Sequence, residues 1–194
     1  HEAASAITIA MVDNKKDKVI ERFGQGKDTI ESSVSTKIRA NIETLLLTSS
    51  AALMGSGNDQ NNILEGNSGN NQLKGKAGND TLIGNLGRDI LSGGTGDDTF
   101  IYRSTNDSGT DKRTRDKITD FQTGDTIDLS QIDANVDVLG DQAFTFIGWG
   151  KSSAAGQAKF INGILSVSTD DDLGAELQVQ LKGVTEFLID SLFF

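Results

Sequence analysis

The feature that most constrains this 194-residue chain is a nine-residue repeat that occurs five times without interruption. Every unit begins with glycine, and four of the five have another glycine at position 4. Position 6 is Asp in three units and Asn in two, and position 8 is always Leu or Phe. A period of nine matches neither a helix face nor an ordinary hairpin. The units are GNDQNNILE (57–65), GNSGNNQLK (66–74), GKAGNDTLI (75–83), GNLGRDILS (84–92) and GGTGDDTFI (93–101).

Each unit is consistent with six residues of turn followed by three of strand. Positions 1, 2 and 4 favour glycine because a tight turn needs backbone angles, often with positive φ, that other residues avoid. In the strand, the side chain at position 8 points inward. Two units of nine then make one coil of 18 residues, and coils stack as parallel strands about 4.8 Å apart. This register predicts one stack of Leu64, Leu82 and Phe100 and a second of Leu73 and Leu91.

The stacking also superimposes the turns, so that each turn lies over the turn two units later. We therefore expect Asp80 beside Asp98, and Asn71 beside Asp89. Carboxylates one strand spacing apart repel each other unless a cation lies between them. Hard oxygen ligands in a flexible cage suit Ca²⁺ better than Mg²⁺ or Zn²⁺, and the chain has no Cys and a single His. Turn capping by the aspartates alone is the alternative, but five units in register favour the metal.

The last three units, 75–101, match the pattern GGxGxDxUx, and the chain therefore resembles the RTX family of calcium-binding nonapeptide-repeat proteins. The resemblance implies an all-β fold. Its main body is a right-handed parallel β-roll, capped by a β-rich, sandwich-like and partly antiparallel C-terminal region. Several Ca²⁺ ions are expected between the stacked turns, with Asp80 and Asp98 as ligands of the firmest site. A second site would join Asp89 to Asn71, where one charge is missing.

The resemblance also carries ligand roles onto matching positions of the turns and onto acids beyond the roll. Gln60 and Asn62 depart from the pattern in the first unit. For each acid beyond the roll, an exposed loop carboxylate is an equally good interpretation. The implied turn ligands are Gly66, Ser68, Asn71, Gly75, Ala77, Gly78, Asp80, Gly84, Leu86, Gly87, Asp89, Gly93, Gly94, Thr95, Gly96 and Asp98, and the implied closing acids are Asp107, Asp116 and Asp120.

The chain divides into three parts on this interpretation. Residues 1–56 are degenerate coils of the roll, 57–101 are the repeats, and 102–194 form the cap. Short apolar runs predict strands at Val19–Ile20, Thr29–Ile30 and Ile42–Leu47 in the first part.

In the cap, KFINGILSVSTDDDLGAELQVQL (159–181) predicts strand, Asn162-Gly163 turn, strand, acidic turn and strand. Asp170, Asp171 and Asp172 lie in that acidic turn, where solvation is favoured over calcium binding. The order of DxIxDFxxGDxIDLS, FxFIG and this hairpin resembles the C-terminal part of serralysin-type secreted metalloproteases and the R-modules of mannuronan C-5-epimerases. The resemblance thus covers nearly the whole chain.

Composition narrows the function classes. The net charge of −10 argues against nucleic acid or an anionic membrane as a partner, and no apolar run is long enough for a membrane span. With no cysteine and 36% hydrophobic residues, a metal is the expected staple for a thin core. His1 is the only histidine, so triads and metalloprotease motifs are absent, and we expect no enzyme. Any catalytic domain would lie upstream of this sequence.

The resemblance implies a secreted, extracellular protein that is exported by the type I secretion machinery without a Sec signal peptide. The C-terminal EFLIDSLFF resembles the uncleaved export signal of such proteins, although it also fits a final β-strand. We expect a monomer that folds when it binds Ca²⁺ outside the cell. One alternative is a module that binds an anionic polysaccharide such as alginate through Lys112, Arg113, Arg115 and Lys117, aided by Lys74 and Lys76. Another is the export end of a large adhesin.

Overall fold

The computed structural model describes residues 9–20, 26–150, 154–171 and 174–193. This part of the chain consists of strands, turns and two short 3-10 helices, Thr105–Asp107 and Ile189–Ser191. None of its helices is long and apolar enough to cross a membrane. The strands are β1 (Ile9–Val12), β2 (Thr29–Ser32), β3 (Thr36–Lys37), β4 (Thr44–Leu47), β5 (Met54–Ser56), β6 (Ile63–Glu65), β7 (Gln72–Ala77), β8 (Thr81–Ile83), β9 (Ile90–Thr95), β10 (Thr99–Ile101), β11 (Asp116–Ile118), β12 (Thr126–Asp128), β13 (Thr145–Phe146), β14 (Gln157–Ile161), β15 (Ile164–Ser168), β16 (Leu177–Leu181) and β17 (Leu192–Phe193).

From β2 to β12 the strands alternate between two sheets, so that each pair of strands makes one coil of a parallel β-roll. The first sheet has the order β1-β2-β4-β6-β8-β10-β12-β17 and is parallel throughout. The second has the order β13-β14-β15-β16-β11-β9-β7-β5-β3. It is parallel from β3 to β16 and antiparallel from β16 to β14. The predicted roll with a partly antiparallel cap is confirmed.

The repeat units form strands where the sequence predicts them. Positions 7–9 of each unit are strand, and β7 and β9 continue into the following turn. Leu82 pairs in register with Leu64 on one side and Phe100 on the other. Leu73 pairs with Leu91 in the second sheet. All five side chains are buried, so the two predicted stacks form the core between the sheets.

The parallel ladder continues beyond the last glycine repeat. Strand β11 pairs with β9, and β12 pairs with β10, which adds another coil after Ile101. Ile127 extends the first stack and Ile118 extends the second. The 102–194 region therefore contributes strands to the roll as well as capping it.

One predicted strand in the first part of the chain is wrong. The strands expected at Thr29–Ile30 and within Ile42–Leu47 are present as β2 and β4. Val19 and Ile20 lie in irregular structure, and the Ile20 side chain is exposed. The position beside β2 in the first sheet is already taken by β1, which pairs with it in parallel. The Val19–Ile20 segment thus has no free edge of β2 to join.

The cap forms around the hairpin that the sequence predicts. Strands β14 and β15 are antiparallel and are joined at Asn162 and Gly163, which both have positive φ, 52° and 76°. Phe187 packs its ring against Phe160 at a centroid distance of 5.1 Å and against Phe121 at 5.7 Å. The C-terminal β17 pairs with β12, so the end of the chain completes the first sheet.

Leu82 tests the importance of the first stack, because it lies fully buried between Leu64 and Phe100. We expect Leu82→Ala to lower the free energy of unfolding by about 2–5 kcal/mol through lost burial and a residual cavity. Leu86→Ala, in the following turn and 47% exposed, is the matched control, with an expected loss below about 0.5 kcal/mol. Denaturant unfolding at saturating Ca²⁺ measures both; equal losses would contradict the assigned register.

Candidate metal centre

The position 6 side chains form a row along the first sheet. The row consists of Asn62, Asp80, Asp98 and Asp125, which are all buried. The backbone N–H of each donates to the side-chain Oδ1 of the next, at 2.7, 2.8 and 3.0 Å. Asp80 and Asp98 thus lie beside each other, as the repeat register predicts. A carboxylate that accepts the N–H of the preceding turn links successive coils.

A second row runs along the other side of the roll. The N–H of Asn71 donates to Oδ1 of Asp89, and the N–H of Asp89 donates to Oδ1 of Asp116, both at 2.6 Å. Asp116 and Asp89 are completely buried. The structure therefore brings together Asn71 and Asp89, as expected, and joins the suggested closing acid Asp116 to them.

Sequence reasoning missed Asp125, which extends the first row by one coil. It follows Asp98 by 27 residues, whereas Asp98 follows its own stacked neighbour Asp80 by 18. The available signal was the tripeptide Asp125-Thr126-Ile127, which matches Asp98-Thr99-Phe100 in pattern. No glycine repeat accompanies it, so a search for the nine-residue period does not find it.

Each carboxylate in the rows uses only part of its hydrogen-bonding capacity. Oδ2 of Asp80, Asp89, Asp98 and Asp116 is buried and has no hydrogen-bond partner among the described residues. Buried polar atoms are almost always paired, and an unpaired anionic oxygen is especially costly. These four oxygens are thus chemically suited to a bound cation.

The glycines at position 1 create the space in front of these oxygens. A Cβ on Gly75 would collide with Oδ2 of Asp80 and would lie 2.5 Å from the carbonyl oxygen of Gly93. Gly75 is not among the residues with positive φ, whereas Gly78 and Gly96 at position 4 are, at 101° and 126°. The expectation that position 1 needs positive φ is therefore wrong. Glycine is required there because neighbouring oxygen atoms occupy the space that a Cβ would need. A carboxylate oxygen and a carbonyl oxygen from two stacked turns converge at Gly75.

Side chains alone do not complete a metal site. Among the residues that the structure describes, no group of three or more His, Cys, Asp or Glu side chains converges on one point. A cation bound between the turns would therefore need main-chain oxygens as well. This is the ligand chemistry of Ca²⁺, which accepts backbone carbonyls readily.

The other turn residues suggested as ligands lie around the same rows. Ala77 pairs with Thr95 in the β7–β9 ladder, and the Thr95 carbonyl accepts the N–H of Gly78 at 3.0 Å. Leu86 is exposed at the apex of its turn. The remaining suggested ligands lie within the stacked turns of their own repeat units: Gly66, Ser68, Gly84, Gly87, Gly93 and Gly94.

Two of the suggested closing acids have structural partners instead of joining a row. Asp107 caps a 3-10 helix, where its Oδ2 accepts the N–H groups of Arg103 and Ser104 at 2.8 and 3.1 Å. Asp120 accepts the Ser92 hydroxyl at 2.6 Å and the Gly93 N–H at 3.2 Å. Both are still close enough to influence the rows electrostatically.

The acidic turn after β15 lies in the cap. Asp171 accepts the N–H of Ala155 at 3.2 Å, and Asp172 lies outside the described residues. The Asp170 carbonyl oxygen accepts the Ser168 hydroxyl at 3.3 Å.

The pKa values of the row carboxylates are raised. Burial raises the pKa of Asp80 to about 7, and the neighbouring Asp98 carboxylate adds to the rise. Burial likewise raises the pKa of Asp89 to about 8, and that of Asp116 to about 9 with a contribution from Asp89. Burial also raises the pKa of Asp125, to about 6. Without a cation the folded rows therefore favour protons.

Comparison with known proteins identifies the family. Residues 24–191 match the family model described as Peptidase M10 serralysin C terminal. The chain belongs to this family. It is also similar to the AlgE6R3 subunit of the mannuronan C5-epimerase from Azotobacter vinelandii, solved in solution, at 28% identity. That likeness covers 78% of this chain and 83% of the other, with a TM-score of 0.56. No curated protein matches the chain significantly.

The region that matches the serralysin C-terminal family model includes all five repeat units and both rows of side chains, from Asn62 to Asp125. It also covers most of the cap and the coils that precede the repeats. Repeats, preceding coils and cap thus belong to one family domain, which agrees with the two sheets that run through all three.

The raised pKa values predict how the calcium-free protein responds to pH. Asp80, Asp89 and Asp116 bind protons more tightly when folded than when unfolded, where their pKa is near 4. Their stabilising contribution is therefore full below about pH 4 and is lost as pH rises through about 7 to 9. We expect the calcium-free chain to have a larger folded fraction at pH 5.5 than at pH 8.5.

Far-ultraviolet circular dichroism in chelator, recorded from pH 5.5 to pH 8.5, measures the β-type signal and hence this folded fraction. The Asp89→Asn variant is the control, because it removes one titrating group and should flatten the pH dependence. A β-type signal in chelator that grows steadily from pH 5.5 to pH 8.5 would contradict the predicted sign.

Proposed function

We propose that this serralysin C-terminal domain is a non-catalytic calcium-binding module that folds when Ca²⁺ binds. The observation that carries the proposal is the set of four buried Oδ2 atoms without hydrogen-bond partners among the described residues, those of Asp80, Asp89, Asp98 and Asp116. In front of Asp80 the carbonyl oxygen of Gly93, from the next coil, approaches the same space beside Gly75. Bound Ca²⁺ would supply positive charge between the stacked turns of each row.

The coupling of binding to folding follows from the thin core. Each repeat unit buries one large apolar side chain at position 8, and the third unit also buries Ile83. Ordering nine residues costs roughly 1–2 kcal/mol of backbone entropy per residue. The buried carboxylates oppose folding further at neutral pH. Calcium binding offsets both effects, because free energy of binding to a site that forms only on folding becomes free energy of folding.

The residues suited to hold Ca²⁺ come from turns two units apart. Asp80 and Asp98 belong to one such pair, together with carbonyl oxygens of the glycine turns at 75–78 and 93–96. Asp125 continues this row beyond Asp98, and Asp116 continues the other row beyond Asp89. The carboxylates of the two rows and the turn carbonyls would bind and orient the ion. The apolar stacks keep water from the adjacent core.

The proposal also includes how the protein is exported from the cell and where it folds. Family membership supports a module of a larger secreted protein, and the C-terminal EFLIDSLFF resembles a type I export signal. In the folded chain part of this segment is β17, paired with β12, so the signal would be read before folding. Extracellular calcium, at about the millimolar level that suits such modules, would then trigger folding and stabilise the upstream part.

Removing two row carboxylates tests the assignment. We expect Asp80→Asn with Asp98→Asn to raise the calcium midpoint of folding by about tenfold or more, since ligand charge tunes Ca²⁺ affinity. Asp59→Asn with Asp97→Asn is the matched control, because these aspartates are exposed and lie in the same turns as Asn62 and Asp98. Far-ultraviolet circular dichroism during calcium titration gives the midpoint.

Two outcomes would count against the proposal. Equal midpoints for the two double variants would show that the row carboxylates are not ligands. A β-type spectrum of the same intensity in chelator as in millimolar Ca²⁺ would show that folding does not depend on the ion.

A second candidate function is binding of an anionic polysaccharide. It is favoured by the similarity to a subunit of a mannuronan epimerase and by basic side chains near the end of the roll. Lys112 and Arg113 are exposed, and Lys117 lies in β11, two strands from Lys74 in β7. Arg115 is less available, because it donates to the Thr110 carbonyl at 2.9 Å and to the Gln178 side chain.

Titration with alginate oligomers tests this candidate. The calcium-loaded protein should bind them at low salt, and Lys112→Ala with Arg113→Ala should weaken binding about tenfold, because the contact would be mainly electrostatic. Lys15→Ala with Lys16→Ala, an exposed pair remote in sequence, is the control. If the titration at low salt produced neither a heat of binding nor a chemical-shift change, glycan binding would be excluded.

A further inference from the structure

The first two repeat units have turns of a different chemistry from the other three. Position 6 is Asn62 in the first unit and Asn71 in the second. Oδ1 of Asn62 accepts the N–H of Asn58 at 2.7 Å, and Oδ1 of Asn71 accepts the N–H of Asn67 at 2.7 Å. The oxygen that remains unpaired in the carboxylate turns is therefore paired in these two.

The position 2 side chains of these units satisfy carbonyl oxygens of the preceding coil. Nδ2 of Asn58 donates to the carbonyls of Arg39 and Ile42, at 2.7 and 2.8 Å. Nδ2 of Asn67 donates to the carbonyl of Ala51 at 3.1 Å. Amide nitrogens therefore bind main-chain oxygens of the kind that a cation would use.

The carbonyls at position 1 receive donors from two units later. The ammonium group of Lys76 donates to the carbonyl oxygen of Gly57. Nδ2 of Asn85 donates to the carbonyl oxygen of Gly66 at 2.8 Å. Both donors are at position 2 of their units. In the fifth unit position 2 is Gly94, which has no side chain to reach the carbonyl of Gly75.

We propose that the turns 57–62 and 66–71 are closed by the chain's own N–H donors and take no Ca²⁺, so that within the five repeat units calcium is confined to the turns from Gly75 onward. The proposal rests on the calcium-binding function proposed above and specifies where that function resides. It replaces the expectation from sequence that Gly66, Ser68 and Asn71 contribute to a site. The ammonium group of Lys76 serves as a resident cation on the first turn.

The physical argument is one of competition. A calcium ion entering either closed turn would have to displace N–H donors from the oxygens it needs, and each broken hydrogen bond costs free energy. It would gain an amide oxygen where the other turns offer a carboxylate, and fewer ligand charges mean weaker binding. In the turns of Asp80 and Asp89 the position 6 side chain is a carboxylate, and its Oδ2 atom accepts no hydrogen bond among the described residues. A donor that lies near the Asp80 turn is the Gln122 side chain, which donates to the carbonyl oxygen of Gly94 at 2.9 Å and leaves Oδ2 of Asp80 open.

This division has a consequence for the order of folding. In a solenoid each coil interacts mainly with its neighbours, so its stability is largely local. The closed turns neutralise their own polar groups and depend on no ion. They provide a formed edge, β6 and β7, onto which the calcium-binding coils can pair.

Anomalous scattering from crystals grown in millimolar Ca²⁺ tests the proposal directly. From the first repeat unit to Asp125, we expect anomalous peaks only at turns that contain Asp80, Asp89, Asp98, Asp116 or Asp125. Peaks at those turns and also at the carbonyl oxygen of Gly57 or Gly66 would overturn the inference while leaving the proposed function intact. Absence of peaks anywhere in the roll would overturn the proposed function itself.

A gain of one ion provides an independent test. Asn71→Asp places a second carboxylate beside Asp89 and removes the Nδ2 donor that Asn71 gives to Asn67. Native mass spectrometry at saturating Ca²⁺ should count one more ion per chain than in the wild type. Asn70→Asp, the exposed neighbour, is the control and should leave the count unchanged. An unchanged count in Asn71→Asp would overturn the inference, since the wild-type turn would then already hold an ion.

Discussion

The structure depends on one hydrogen bond that recurs along the roll, from the backbone N–H of a position 6 residue to the side-chain oxygen of its counterpart one coil later. It ties each turn to the next at 2.6–3.0 Å. It also fixes the carboxylate inside the turn, where water does not reach it. In Asp80, Asp89, Asp98 and Asp116 this bond uses one oxygen, so the interaction that orders the turns leaves a buried anionic oxygen unpaired among the described residues. The proposed Ca²⁺ would neutralise the oxygens that this way of joining the coils leaves unpaired.

The glycines belong to the same arrangement. At position 1 a side chain would occupy the space in front of the carboxylate, as the collision of a Gly75 Cβ with Asp80 illustrates. At position 4 the backbone turns with positive φ, as at Gly78. Glycine is therefore needed for space at one position and for conformation at the other. This cost in chain entropy is large for a core that gains one or two large apolar side chains per unit, and the proposed Ca²⁺ would offset it.

The sequence predicted the roll well because its period fixes the register directly. Once Leu64, Leu82 and Phe100 are placed in one column, strand pairing follows without further information, and the structure has these pairs. Asp125 escaped prediction because the spacing lengthens from 18 to 27 residues beyond Asp98. The Val19–Ile20 strand was wrong for a non-local reason: β1 already occupies the neighbouring edge. Hydrogen bonds such as those at Asp107 and Asp120 depend on three-dimensional context that spacing does not contain.

The change from Asn to Asp along position 6 has a physical meaning that the repeat pattern alone conceals. Asn and Asp have nearly the same volume, and the backbone N–H of either residue donates to the carboxylate of the next coil, so both are compatible with the ladder. They differ in the second group, since the amide nitrogen donates whereas the carboxylate oxygen only accepts. Nδ2 of Asn62 donates to the carbonyl of Ile42 at 3.1 Å, while Oδ2 of Asp80 has no such partner among the described residues. One substituent at position 6 therefore decides whether the turn satisfies its own polar groups or keeps an unpaired anionic oxygen, which is where the proposed Ca²⁺ would bind.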